Sequence, residues 1–172
     1  MWYAVQVETG KEDKTVDLVN RLADERYLKE CFTPKTVMPR KVKGEWVNKV
    51  KPLFPGYVII DSKHIDKLQD SLKKIPAFIK TLGTDEGFVS LNASEVSWIS
   101  GVTDKKDHTV RVSEVYVEGD KVVVNEGPLR GLMGVVEHID LHKRRVHLRI
   151  NMFGRDLTPK LGIEIIHKPE DF

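Results

Sequence analysis

The feature that most constrains the fold is the pattern of the last third of the chain. Between residues 110 and 172, the β-branched runs Val115–Val117, Val122–Val124, Val135-Val136, Val146–Ile150 and Ile163–Ile166 are separated by turns containing Gly, Pro or Asp. β-Branched side chains lose rotamer freedom in a helix and pack well on a pleated surface, so these runs disfavour long helices. Strands this short, at this spacing, predict a small all-β barrel.

The first hundred residues carry a different pattern. Trp2–Val7 is an apolar run rich in β-formers and predicts a buried strand. Thr9-Gly10-Lys11-Glu12 fits a capping box, and Val16, Val19, Leu22, Ala23 and Tyr27 recur at helical spacing, predicting a helix over about 11–28. Strands follow over 32–41 and 45–53, joined at Lys43-Gly44, and then over Gly56–Asp61. Ile65, Leu68 and Leu72 predict a helix over 64–74 that Pro76 ends. Phe78–Leu82 reads as a strand, and Asn92-Ala93-Ser94-Glu95 as the cap of a short helix carrying Val96 and Ile99. The order predicts an α+β domain, an antiparallel-rich sheet flanked by helices. The polar stretch 103–109 reads as a linker between domains at 1–102 and 110–172.

Charge narrows the function classes. The net charge is +2: residues 1–100 hold 16 Lys/Arg against 14 Asp/Glu, and residues 101–172 hold 12 against 12. Neither half is a wholly basic nucleic-acid module, so any such contact must come from local patches. A lone cysteine, Cys31, excludes an intramolecular disulfide and suits a reducing cytosol. The apolar runs are too short to span a membrane, and the N-terminus lacks a secretory pattern, so a cytoplasmic protein is expected. Gly-x-Ser-x-Gly, His-Glu-x-x-His and Cys-x-x-Cys are all missing from the sequence, which argues against an enzyme and for no cofactor. His138, His142 and His147 lie close in sequence but have no cysteine to complete a zinc set, so no metal site is expected.

Three local features remain. Leu53-Phe54-Pro55-Gly56-Tyr57 is an aromatic turn feeding a strand, readable as core packing or as a patch that a protein partner covers. Lys35, Arg40, Lys41, Lys43, Lys49 and Lys51 form a basic hairpin with Glu45 as its one acidic residue. His142–Arg149 is denser still: strand alternation would place Arg145, His147 and Arg149 on one face, opposite Arg144, Val146 and Leu148. That face is either a solvated barrel exterior or an RNA surface, since arginine forks bind phosphate and stack on bases.

Taken in order, the Trp2-Tyr3 strand, capped helix, basic hairpin and Leu53–Tyr57 turn resemble the N-terminal domain of NusG-type elongation factors. Gly119-Asp120-Lys121-Val122 through Gly127-Pro128, then Gly134-Val135-Val136 and Asn151-Met152-Phe153-Gly154-Arg155, resemble their KOW domain. The resemblance implies a monomeric transcription elongation or antitermination factor that acts by binding. It places Trp2, Phe54, Tyr57 and Ile59 near the contact with the clamp helices of RNA polymerase. Relatives that read the non-template DNA strand carry Asn and Thr where this chain has Lys74 and Ile75, so the turn Lys73-Lys74-Ile75-Pro76 implies a non-specific grip on that strand by Lys73 and Lys74. Leu129, Leu132 and Phe153 fall within the patch that meets ribosomal protein S10 or Rho. Specialised paralogues of the LoaP type are similar in adding RNA recognition. They make nascent RNA, including a leader hairpin, the expected partner of Lys143, Arg144, Arg145, His147 and Arg149. A ribosome- or translation-associated KOW protein is the competing reading.

Overall fold

The computed structural model describes residues 1–76 and 88–170. The strand predicted at Phe78–Leu82 lies outside the described residues. In chain order the first elements are β1 (Trp2–Gln6), α1 (Glu12–Leu22), β2 (Glu30–Phe32), β3 (Lys35–Val42), β4 (Glu45–Pro52), β5 (Tyr57–Asp61) and α2 (Ile65–Leu72). Next come β6 (Val89–Ser90), α3 (Ala93–Val102), β7 (Thr109–Val110), β8 (Ser113–Glu118), β9 (Lys121–Glu126) and β10 (Val136–Asp140). The chain closes with β11 (Arg145–Leu148), β12 (Ile150–Met152), β13 (Arg155–Leu157) and β14 (Lys160–Ile165). The α+β start and the all-β tail are as predicted, and the elements assemble into two compact units.

The first unit gathers 1–34, 54–99 and 152–155. Its sheet runs in the order β2-β5-β1-β6 and is antiparallel throughout. One face is sealed by the helices: Val5, Val7, Cys31, Val58 and Ile60 pack in one core with Val19 of α1 and Leu68 and Leu72 of α2. This burial pushes the Cys31 thiol up to about 12, which leaves it neutral and unreactive.

Two local expectations need correction. Helix α1 starts without a side-chain cap from Thr9. Glu12 is instead buried, and its carboxylate accepts the N–H of Gly10 at 2.6 Å and that of Gly56 at 3.0 Å, tying the helix start to the aromatic turn. The helix also ends at Leu22 rather than near residue 28, because Ala23 is extended and Asp24 begins a new turn with Tyr27 and Leu28. The cap predicted at Asn92 is present as a reciprocal pair: Glu95 N–H donates to Asn92 Oδ1 at 2.9 Å, and Asn92 N–H to Glu95 Oε1 at 3.0 Å.

The second unit gathers 35–53, 100–151 and the residues from 156 onward. Its main sheet has the order β10-β11-β14-β8-β9, parallel only between β14 and β8. Val115, Leu129, Val146, Leu148, Leu161 and Ile163 are buried in this unit. The hairpin β3–β4 turns at Lys43 and Gly44, which have φ of 51° and 83°, and β7 extends it in parallel beside β3. Residues 103–109 form a hydrogen-bonded turn: Asp104 N–H reaches Thr109 O, and His108 N–H reaches Asp104 O, each at 2.8 Å. Gly127 is required where it stands, because a Cβ there would lie 2.6 Å from Ser113 Cα and its φ is 117°.

Candidate binding surfaces

The antiparallel register decides which side chains share the second face of the first unit's sheet. Ala4 pairs with Ile59, Gln6 with Tyr57 and Phe32 with Ile59, so Trp2, Phe32, Tyr57 and Ile59 all point away from the helix-covered side. Trp2 meets Phe32 edge-on, with ring centroids 5.1 Å apart. Phe54 joins this layer from the turn before β5. The four residues assigned to a polymerase contact thus lie together.

They are not, however, the open patch that contact requires. Phe54 is 2% exposed, Tyr57 8% and Ile59 fully buried. The cover is aromatic. Phe153 stands 5.2 Å from the Phe54 ring and 5.0 Å from the Tyr57 ring, while Trp98 of α3 lies 6.1 Å from Phe54. Phe153 itself is 4% exposed, and its backbone N–H donates to Glu95 Oε2 at 2.7 Å. It sits in the two-residue turn of the β12–β13 hairpin, where Phe153 and Gly154 take φ of 57° and 75°. Leu129 and Leu132 are also buried, at 0% and 8%, and so do not form an exposed apolar surface with Phe153. The Leu129 N–H donates to the Ser113 hydroxyl oxygen at 3.0 Å.

The basic strand β11 alternates as the sequence reading expects. Val146 and Leu148 are buried, whereas Arg145 and His147 are half-buried on the other face. Arg144 has φ of 55° and lays its guanidinium over Trp46 of β4, 4.2 Å from the ring centroid. Arg149 is ion-paired with Glu137 at 2.7 Å. Lys143 is exposed, and its N–H donates to Asp140 Oδ1 at 3.0 Å; this bond holds the Asp140 carboxyl below the usual carboxylate range. Of the five residues expected to touch RNA, Arg144 and Arg149 already have partners within the protein. Lys73 and Lys74, just after α2, are both exposed.

His147 meets His138 of β10 with ring centroids 5.5 Å apart, a neighbour that the sequence reading did not place with the RNA residues. Burial, then Lys160, His138 and Arg145, hold the His147 pKa below its usual 6.5. The unfolded chain therefore takes up this proton before the folded one does. The stability contributed is complete above about 6.5 and is lost as the pH falls from there toward the folded value. Denaturation midpoints measured at about pH 7.5 and about pH 5.5 should converge in His147→Gln relative to the parent.

Among the described residues, no helix is long and apolar enough to cross a membrane. Comparison with known proteins agrees with the two patterns read from the sequence. Residues 1–100 match the family described as "Transcription termination factor nusG", and residues 118–149 match the KOW motif. The transcription termination/antitermination protein NusG of Rickettsia felis is 26% identical over 171 residues, spanning 97% of this chain and 89% of that protein. The protein of the same name from Vibrio vulnificus is 26% identical over 172 residues, spanning 97% and 94%. A solved structure described as "Domain interaction in Thermotoga maritima NusG" aligns with a TM-score of 0.49 at 21% identity, covering 94% of this chain and 92% of that one. The chain belongs to the NusG family of transcription termination and antitermination factors, with a KOW motif following its NusG region.

Proposed function

We propose that this protein binds transcribing RNA polymerase through the aromatic face of its first unit and promotes processive elongation or antitermination, with RNA contact from β11 and its preceding turn. The observation that carries the reading is the assembly of Trp2, Phe54, Tyr57 and Ile59 on one sheet face, covered beside Trp98 by the Phe153 ring on a two-residue turn. Large aromatic side chains clustered in this way supply the anchors of protein interfaces, here for the clamp helices of the polymerase. A partner reaches Phe54 and Tyr57 only when Phe153 has moved off them. Lys73 and Lys74, exposed and basic, suit a phosphate of the non-template strand and favour non-specific grip over base reading.

Immobilised core RNA polymerase should retain the full chain. Phe153→Ala should bind several-fold more tightly, because the apparent Kd is the intrinsic one divided by the uncovered fraction. Failure of both proteins to bind would remove the polymerase reading. Binding of the parent with no gain in Phe153→Ala would place the contact elsewhere.

A further inference from the structure

On the face of the β10–β11–β14 sheet opposite the buried Val146 and Leu161, which β3 crosses at Gly162, the register sets three nitrogen-bearing side chains in one lateral row. His138 pairs directly with His147, and His147 with Lys160, so all three project from the same side. Two strand spacings make the row about 10 Å wide. Its flanks, His138 and Lys160, are exposed, and its centre, His147, is half-buried.

The charges around the row are uneven. From β11, Arg145 lies in the next row, between Asp140 and Gly162, and its Nε is buried with no hydrogen-bond partner among the described residues. Asp140 of β10 spends one carboxylate oxygen on the Lys143 N–H. Glu137, at the β10 irregularity, is taken up by Arg149. Glu164 lies farther along β14, paired with Glu114 of β8. What remains beside His147 is net positive, so a proton on that ring is disfavoured until an anion arrives.

We propose that His138, His147 and Lys160 form a phosphodiester-binding row for RNA, and that filling it is coupled to proton uptake. This rests on the RNA contact proposed above and extends it to two residues outside the 142–149 segment. A phosphate next to an imidazole favours its cationic form, which donates from both nitrogens. The exposed His138 ring can also stack on an unpaired base, which RNA loops offer more readily than duplexes. Linkage then fixes the sign. The complex holds more protons than the free protein, so affinity rises as pH falls, by up to about tenfold per pH unit for each proton taken up.

The test is fluorescence anisotropy with a short RNA stem-loop at constant ionic strength, from about pH 7.5 to about pH 5.5. The parent should tighten steadily toward acid. His138→Gln/His147→Gln should lose that slope while keeping the weaker high-pH binding that Lys143 supplies. Lys160→Gln should weaken binding and start the rise at higher pH, since a neighbouring cation no longer opposes protonation of His147; loss of a merely structural lysine would not move that onset. Lys143→Ala should weaken binding equally at every pH with the slope intact. An unchanged slope in the double glutamine variant overturns the row and leaves the RNA reading standing. No binding by the parent at any pH overturns both. Equal binding of a DNA stem-loop of the same sequence overturns RNA as the occupant.

Discussion

Phe54→Ala is expected to destabilise the folded chain by about 3–5 kcal/mol, the usual cost of truncating a fully enclosed phenylalanine. The ring is enclosed by Trp98 and Phe153, with which it makes tilted and edge-on contacts, and each such aromatic pair adds about 0.5–1.5 kcal/mol beyond area burial. Neither neighbour can collapse far into the space left behind. Trp98 is anchored in α3, and the Phe153 N–H is held by Glu95. Denaturant titration of the variant should therefore show a much lower midpoint with little change in slope. This bears directly on polymerase assays of the proposed contact, because lost binding in this variant would report an unfolded face and not a missing anchor. Phe54→Leu keeps most of the volume and isolates the ring's own contribution. A loss below about 1 kcal/mol for the alanine variant would mean that the cover opens at almost no cost.

A second large effect is expected at Gly162→Val. A Cβ built on Gly162 would lie 2.2 Å from the Val37 carbonyl oxygen and 2.7 Å from Pro39 Cδ. The nearest obstacle is backbone, so it cannot turn aside as a flexible side chain could. The β3–β4 hairpin would have to lift off β14, and overpacking of this kind costs about 1–3 kcal/mol. For a chain of this size the upper end corresponds to a fall in Tm of about 6–12 °C. The same displacement should separate Trp46 from Arg144, which lie 4.2 Å apart, and tryptophan fluorescence in a Trp2→Phe/Trp98→Phe background would report it. An unshifted Tm with unchanged Trp46 emission would show that the hairpin does not rest on Gly162.

Strands and helices with strong internal periodicity were legible from the chain. The Val-rich runs of the tail, the Lys43-Gly44 turn and the Asn92–Glu95 cap are local patterns, and local patterns need no knowledge of neighbours. β2 and β7 were not legible in this way, since three and two residues become strands only by pairing with β5 and β3. Thr9–Glu12 has the spacing of a capping box, yet the Glu12 carboxylate is shared between the Gly10 N–H and the Gly56 N–H, the latter distant in sequence. The candidate surfaces divide in the same manner. Alternation correctly put Val146 and Leu148 opposite Arg145 and His147. Hydrophobic character alone could not say that Leu129 is core, that Phe153 covers Phe54, or that His138 stands beside His147. Each of those depends on register between segments, and a single sequence carries no direct record of it.

The turn at Phe153-Gly154 has a consequence for residue choice. Two-residue hairpin turns with both φ values positive are best made by Asn-Gly or Asp-Gly, because a short polar side chain tolerates the left-handed region. Phenylalanine does not, and holding it at φ 57° imposes a backbone cost of about 1–2 kcal/mol. Asn at residue 153 would make a better turn and a bare one. The chain thus accepts a poorer bend in return for a ring at its tip, so this position answers to what the hairpin touches and only secondarily to how it folds.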